Sequence, residues 1–193
     1  MQRHITLSTL AASLILAGHV QAAEAPAEPA AVPRQAVGAL IKTLVGELKK
    51  DIDSVGAEGA ITVCKDKAPK IAGEIARQHN VQIKRVTFKN RNPERSTPDE
   101  WETKALRELE KRLAEGASPA SLEYTEVVDT PQGKTVRYMK GLVVQELCMT
   151  CHGTPDTIPA GVKAKLQQEY PNDKATGYLP NQFRGGVSIK QLL

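Results

Sequence analysis

The side chains in this chain with a recognisable chemical spacing lie together at Cys148-Met149-Thr150-Cys151-His152. Cys-x-x-Cys-His is the attachment pattern of c-type haem. Two thiols three positions apart on one helical turn reach the two vinyl groups of a single porphyrin and form thioethers. The adjacent imidazole then addresses the iron from one face. Two other uses of the same residues need more than the chain offers. A thioredoxin-like redox pair belongs in a βαβ setting, which does not surround Cys148 and Cys151. A zinc site would need a distant fourth ligand. The expected cofactor is therefore one covalent haem c, held by Cys148 and Cys151, with His152 as the proximal iron ligand.

The other face of the iron is less determined. Beyond His152 the chain has no His, Met or Cys, so a sixth ligand of those types must come from upstream. Met149 lies inside the attachment loop and cannot reach round. Cys64, His79 and Met139 remain, with Lys or Tyr as outsiders. Each of the three also has an ordinary use. Cys64 sits on the apolar face of a helical pattern, where a buried cysteine is common. His79 stands beside Asn80 at the end of that pattern, and Met139 lies in a strand, where it would pack. Met139 would be the natural ligand of a high-potential cytochrome.

The elements that must position these residues are readable in outline. Residues 1–22 have the build of a secretory signal peptide: Arg3 and His4, an apolar run from Ile5 to Gly18, then Val20-Gln21-Ala22. Residues 23–34, mostly Ala, Pro and Glu, read as a flexible leader, and 35–193 as one domain. An exported chain with an odd number of cysteines cannot pair them all, which again favours a cofactor. The formal net charge of +4 says little about partners. The expected compartment, the periplasm, excludes nucleic acid, and no stable membrane anchor is expected once the signal is cleaved.

Val37, Leu40, Ile41, Leu44, Leu48, Ile52 and Val55 share one helical face. Gly56 and Gly59 bracket a break, and Ile61, Cys64, Ala68, Ile71 and Ile75 continue as a second helix. Pro69 should bend that helix or start another segment. A strand runs from Val81 through Phe88, and a turn-rich loop covers Asn90 to Ser96. Thr97-Pro98-Asp99-Glu100 predicts a helix start with Thr97 as cap, and that helix should bury Trp101, Ala105, Leu109 and Leu113. Segments 122–129 and 134–141 form a hairpin around Pro131 and Gly133. Val162, Leu166 and Tyr170 mark a short helix, and residues 185–189 a last strand. The fold class is α+β, with helices first and an antiparallel sheet after them. Basic residues cluster at Lys84, Arg85, Lys89, Arg91 and Arg95. Arg91 and Arg137 are candidate contacts for haem propionates.

Several of these stretches recur together in one family. They are Val63-Cys64-Lys65-Asp66, Asn92-Pro93, Pro98-Asp99-Glu100-Trp101-Glu102, Arg137-Tyr138-Met139-Lys140, the Cys148 to Gly153 motif, Gly177-Tyr178 and Arg184-Gly185-Gly186. In that order the chain, from about Val37 to its C-terminus, resembles a family of exported single-haem c-type domains long described as a domain of unknown function. The resemblance implies a PAS-like antiparallel sheet and a His/Cys-ligated haem, with Cys64 as the distal ligand. One departure is Gly141, where family members often carry Pro.

A thiolate ligand stabilises ferric iron and implies a low reduction potential. On reduction the thiolate is expected to bind less firmly, so that Met139 or His79 would compete for the iron. Three functions follow in order. The first is low-potential electron transfer with a redox partner protein. The second is a haem-based redox or gas sensor acting through a signalling partner protein, since no output segment is attached. An enzyme ranks last, because there is no second haem motif and no distal acid–base pair.

Overall fold

The computed structural model describes residues 28–193, apart from the side chains of Val63 and Cys64. The expected signal peptide, and the leader up to residue 27, lie outside the described residues. Helix α1 spans Ala31–Gln78 and is broken once, at Gly56, where φ is 71° and ψ is 171°. A straight helix would separate residues 47 and 67 by about 30 Å. Instead Lys67 Nζ lies 2.9 Å from Glu47 Oε2 and 2.6 Å from Asp51 Oδ1. The two arms of α1 therefore fold back on each other, turning at a residue that tolerates positive φ. This is the break expected between the two apolar patterns. Pro69, in contrast, lies within continuous helix and neither ends nor starts a segment. Ala68, Ile71 and Ile75 on either side of it pack inward, and packing of that kind overrides local helix preference.

Helix α1 starts at Ala31, four positions before the expected domain boundary, with Ala30 buried and Arg34 paired to Glu28 and Glu123. Four antiparallel strands follow in the spatial order β1-β4-β3-β2: β1 Gln82–Val86, β2 Glu123–Thr130, β3 Gly133–Val143 and β4 Phe183–Leu192. Strands β2 and β3 are the expected hairpin, closed at the pair Thr130 and Gly133. Strand β1 stops two residues short of Phe88.

The sheet is covered on both faces. In β3, Tyr138 points to one face and joins Val37, Leu40, Ile75, Val187 and Ile189 beneath α1. Met139, the next residue, points to the other face and joins Val86, Ala105, Leu106, Leu109 and Leu122 beneath α3 (Glu100–Ala114). Alternation along a strand dictates this division. The architecture is α+β. Among the described residues no helix is long and apolar enough to cross a membrane.

Helix α3 begins two residues later than its sequence suggests. Asp99, not Thr97, is the cap: Asp99 Oδ1 accepts from Glu102 N at 2.8 Å, and Glu102 Oε2 accepts from Asp99 N at 2.9 Å. Thr97 is already engaged at the end of the short helix α2 (Pro93–Ser96), where its hydroxyl donates to Pro93 O. The helix buries Glu102, Ala105, Leu106 and Leu109, while Trp101 and Leu113 are half-buried.

The fully buried Glu102 also accepts from Lys84 Nζ at 3.0 Å and faces Arg137 Nη2 at 3.8 Å. Its removal leaves Asp99 N without its side-chain acceptor and the Arg137 guanidinium without one of its carboxylates. Glu102→Ala is expected to lose about 3–5 kcal/mol of unfolding free energy. Glu102→Gln, which keeps an acceptor for Asp99 N, should lose clearly less. Urea unfolding of both variants measures the difference.

Candidate functional site

Chain leaving β3 enters helix α4 (Glu146–His152), a two-turn element that holds the whole Cys-x-x-Cys-His motif. Cys148 and Cys151 sit one turn apart on it, both half-exposed and neither in a disulfide. Cys148 Sγ accepts from Gln145 N at 3.4 Å, which closes the first turn of the helix. A thioether sulfur keeps the lone pairs that this bond uses. Cys151 leans inward against Ile61, Ile158, Val162 and Leu166, and burial pushes its thiol pKa up. That cluster is built by the second arm of α1 and by α5 (Ala160–Glu169), the short helix expected around Val162 and Leu166.

His152 is held at its own carbonyl, at the carbonyl of the next residue and at one ring nitrogen. Its carbonyl accepts from Tyr178 N at 3.0 Å, and Gly153 O accepts from Gly177 N at 2.7 Å. Its Nδ1 lies 2.6 Å from Ala175 O. A carbonyl only accepts, so Nδ1 carries the proton and the Nε2 lone pair is left for a metal. Burial, followed by the charges of Arg91, Arg184 and Arg85, drives the imidazole pKa down to about 3. The ring is neutral at any physiological pH, the form that ligates iron. The Tyr178 ring stands edge-on to it at 6.4 Å between centroids.

The basic cluster read from the sequence divides. Arg91 is at the motif: its Nη2 donates to Cys151 O at 2.6 Å and its Nε to Asp173 Oδ2 at 2.9 Å. Lys89 lies over the Tyr178 ring at 4.3 Å, with Arg184 over the same ring at 5.3 Å. Arg85 lies close enough to His152 to shift its pKa. Lys84 instead points to the α3 face and Glu102, and Arg95 lies in the last turn of α2. Arg137 is not brought to the motif. Its guanidinium donates to both Asp99 carboxylate oxygens at 2.9 and 3.1 Å and stacks on Trp101, on the α3 face of the sheet.

The candidate distal ligands are placed as differently. The Met139 side chain is fully buried beneath α3, so close to β4 that a Cβ at Gly186 would overlap its sulfur. His79 caps the end of α1, 18 residues beyond Ile61, which at 1.5 Å per residue is about 27 Å along the helix. Position 64 belongs to the second arm of α1, three residues after Ile61, between the buried Ala60 and Ala68. The Cys64 side chain itself lies outside the described residues. Thr62 and Lys65 on either side both meet Glu169 of α5.

A family model described as Tll0287-like matches residues 6–191. The chain belongs to the Tll0287-like family. That membership bears out the resemblance read from the ordered motifs. Among solved structures the chain is similar to one titled crystal structure of the cyanobacterial haem-protein Tll0287, with 23% identity over 84% of this chain and 95% of that one, and a TM-score of 0.62. At that identity the likeness establishes the shared α+β fold. No curated protein matches the chain.

Asp173, Ala175, Tyr178 and Arg184 were not among the site residues expected from sequence, although Tyr178 and Arg184 lie in two of the recurring stretches. Asp173 did carry a local signal. An Asp two residues before a backbone N–H that it accepts is an Asx turn, and Asp173 Oδ1 accepts from Ala175 N at 2.7 Å.

Proposed function

We propose that this Tll0287-like chain is an exported monohaem c-type cytochrome of the periplasm, acting in low-potential electron transfer and not as an enzyme. One observation carries the reading: the Nδ1–Ala175 O bond leaves His152 Nε2 free beside two unpaired thiols one helical turn apart. The donor set fits a covalent haem. Cys148 and Cys151 would form the thioethers and His152 would be the proximal ligand, with Cys64 opposite. When bound, the haem supplies a one-electron iron couple.

The protein's part is to hold that couple. The neutral imidazole donates its proton to a backbone carbonyl, which strengthens Nε2 as a ligand. Helix α4 and the 173–178 segment fix the ring. The haem protein Tll0287, whose fold this chain shares, supports the choice of cofactor.

The test is made on the exported holoprotein. Denaturing mass spectrometry should find the chain, without residues 1–22, heavier by one haem. Stopped-flow mixing with a low-potential donor should show rapid reduction, and the reduced form should not take up CO. Prompt CO binding would favour the sensor reading, with a signalling partner in place of a redox partner. A chain without covalent haem would end both.

A further inference from the structure

Two separate loops converge on His152 of helix α4, and one carboxylate ties them together. Asp173 Oδ1 accepts from Ala175 N at 2.7 Å, and the carbonyl of that same Ala175 faces His152 Nδ1 at 2.6 Å. Asp173 Oδ2 accepts from Arg91 Nε at 2.9 Å, and Arg91 Nη2 donates to Cys151 O at 2.6 Å. The same Nη2 lies 3.5 Å from His152 Nδ1. Lys174 N donates to Asn90 O at 2.9 Å, which pins the two loops beside this ring of bonds. Arg91 and Asp173 are both largely buried, with side chains 17% and 9% exposed.

We propose that Asp173 and Arg91 act as one positioning unit for His152, fixing the orientation and hydrogen bonding of its imidazole and thereby the ligand strength it presents to iron. The inference rests on the haem reading above, and it gives Arg91 a different role from the propionate contact expected of it. The physics is that of groups behind a metal-ligating histidine. Such partners set ring orientation and donor strength. The fork of Arg91 matters because one planar guanidinium serves Asp173 and the Cys151 carbonyl at once, which an ammonium cannot do. Asp173 matters twice, as anchor for Arg91 and as acceptor for the peptide N–H next to the Ala175 carbonyl. Its charge also offsets a guanidinium 3.5 Å from the imidazole.

The test compares wild-type holoprotein with Arg91→Lys, Asp173→Asn and the double variant, by ferric EPR and by redox titration. Lysine keeps the charge and loses the fork. Asparagine can still accept from Ala175 N, yet its amide cannot serve Arg91 as a carboxylate. In each single variant the single low-spin signal should split or broaden as the ring loses its fixed orientation. In Asp173→Asn the midpoint potential should also rise, because a negative charge near the iron is gone. The double variant should match the singles in its EPR signal and Asp173→Asn in its potential, with no added loss, as expected of residues acting as a unit.

Wild-type spectra and potentials in all three variants, with covalent haem retained, would overturn the proposal and leave the haem reading standing. Absence of haem from the wild type would overturn the haem reading itself. A second measurement needs no variant. In the wild-type protein the hyperfine-shifted NMR resonance of the His152 Nδ1 proton should persist after transfer to D2O. Its loss within the dead time would contradict a ring held in a closed set of hydrogen bonds.

Discussion

Cys148→Ser/Cys151→Ser protein is expected to leave the cell export pathway with no haem that survives denaturation, while keeping its sheet and both large helical layers. The first half of this result follows from chemistry. Each thioether needs a thiol as reactant, and the described cysteines of the motif are free, half-exposed and one turn apart on α4. Serine offers no equivalent nucleophile. Single variants should keep a reduced fraction of attached haem through the remaining sulfur. The second half follows from packing. The clusters under α1 and under α3 are built without the motif, and among the described residues the apolar cluster that Cys151 packs against is the third, at Ile61, Ile158, Val162 and Leu166. Haem staining of a denaturing gel reads the first half, and far-ultraviolet circular dichroism the second. Haem retained in the double variant would disprove the thioether assignment. Loss of the circular dichroism signal would mean that folding waits for the cofactor.

What was legible in the sequence was local. The Cys-x-x-Cys-His motif is five consecutive residues, and its helical turn needs no tertiary partner. The break at Gly56 and the β2–β3 turn at Gly133 were legible because both residues sit at positive φ, where glycine has no steric penalty. The start of α3 was misplaced by two residues because Thr97 and Asp99 are each followed three residues on by a Glu, so that both fit a capping box. Only the neighbouring α2 decides that Thr97 is taken. Contacts between distant residues were not legible. Arg91 and Asp173 are 82 positions apart, and nothing near either names the other. Met139 and Tyr138 illustrate the same limit. A strand pattern says that neighbours face opposite ways, yet only the placement of α1 and α3 says which of them lies on which face.

The same placement sharpens the expected result for the sixth ligand. Of the three upstream candidates, Met139 is enclosed between β4 and α3, and the backbone of His79 is about 27 Å along the helix from Ile61, the residue that packs with Cys151. Position 64 is one turn from Ile61, flanked by residues that reach α5. Cys64→Ala should therefore remove the low-spin ferric thiolate signature from the EPR and optical spectra, leaving the covalent haem in place. The potential should rise, since a negatively charged donor that favours ferric iron has been lost. The reduced variant should bind CO readily at the vacated position. Met139→Leu and His79→Gln should resemble wild type in the ferric state. Should Cys64→Ala keep the wild-type spectrum, Cys64 returns to the apolar stripe of α1 beside Ala60 and Ala68. A Lys or Tyr ligand would then be sought, and the case for a low potential would lose its chemical basis.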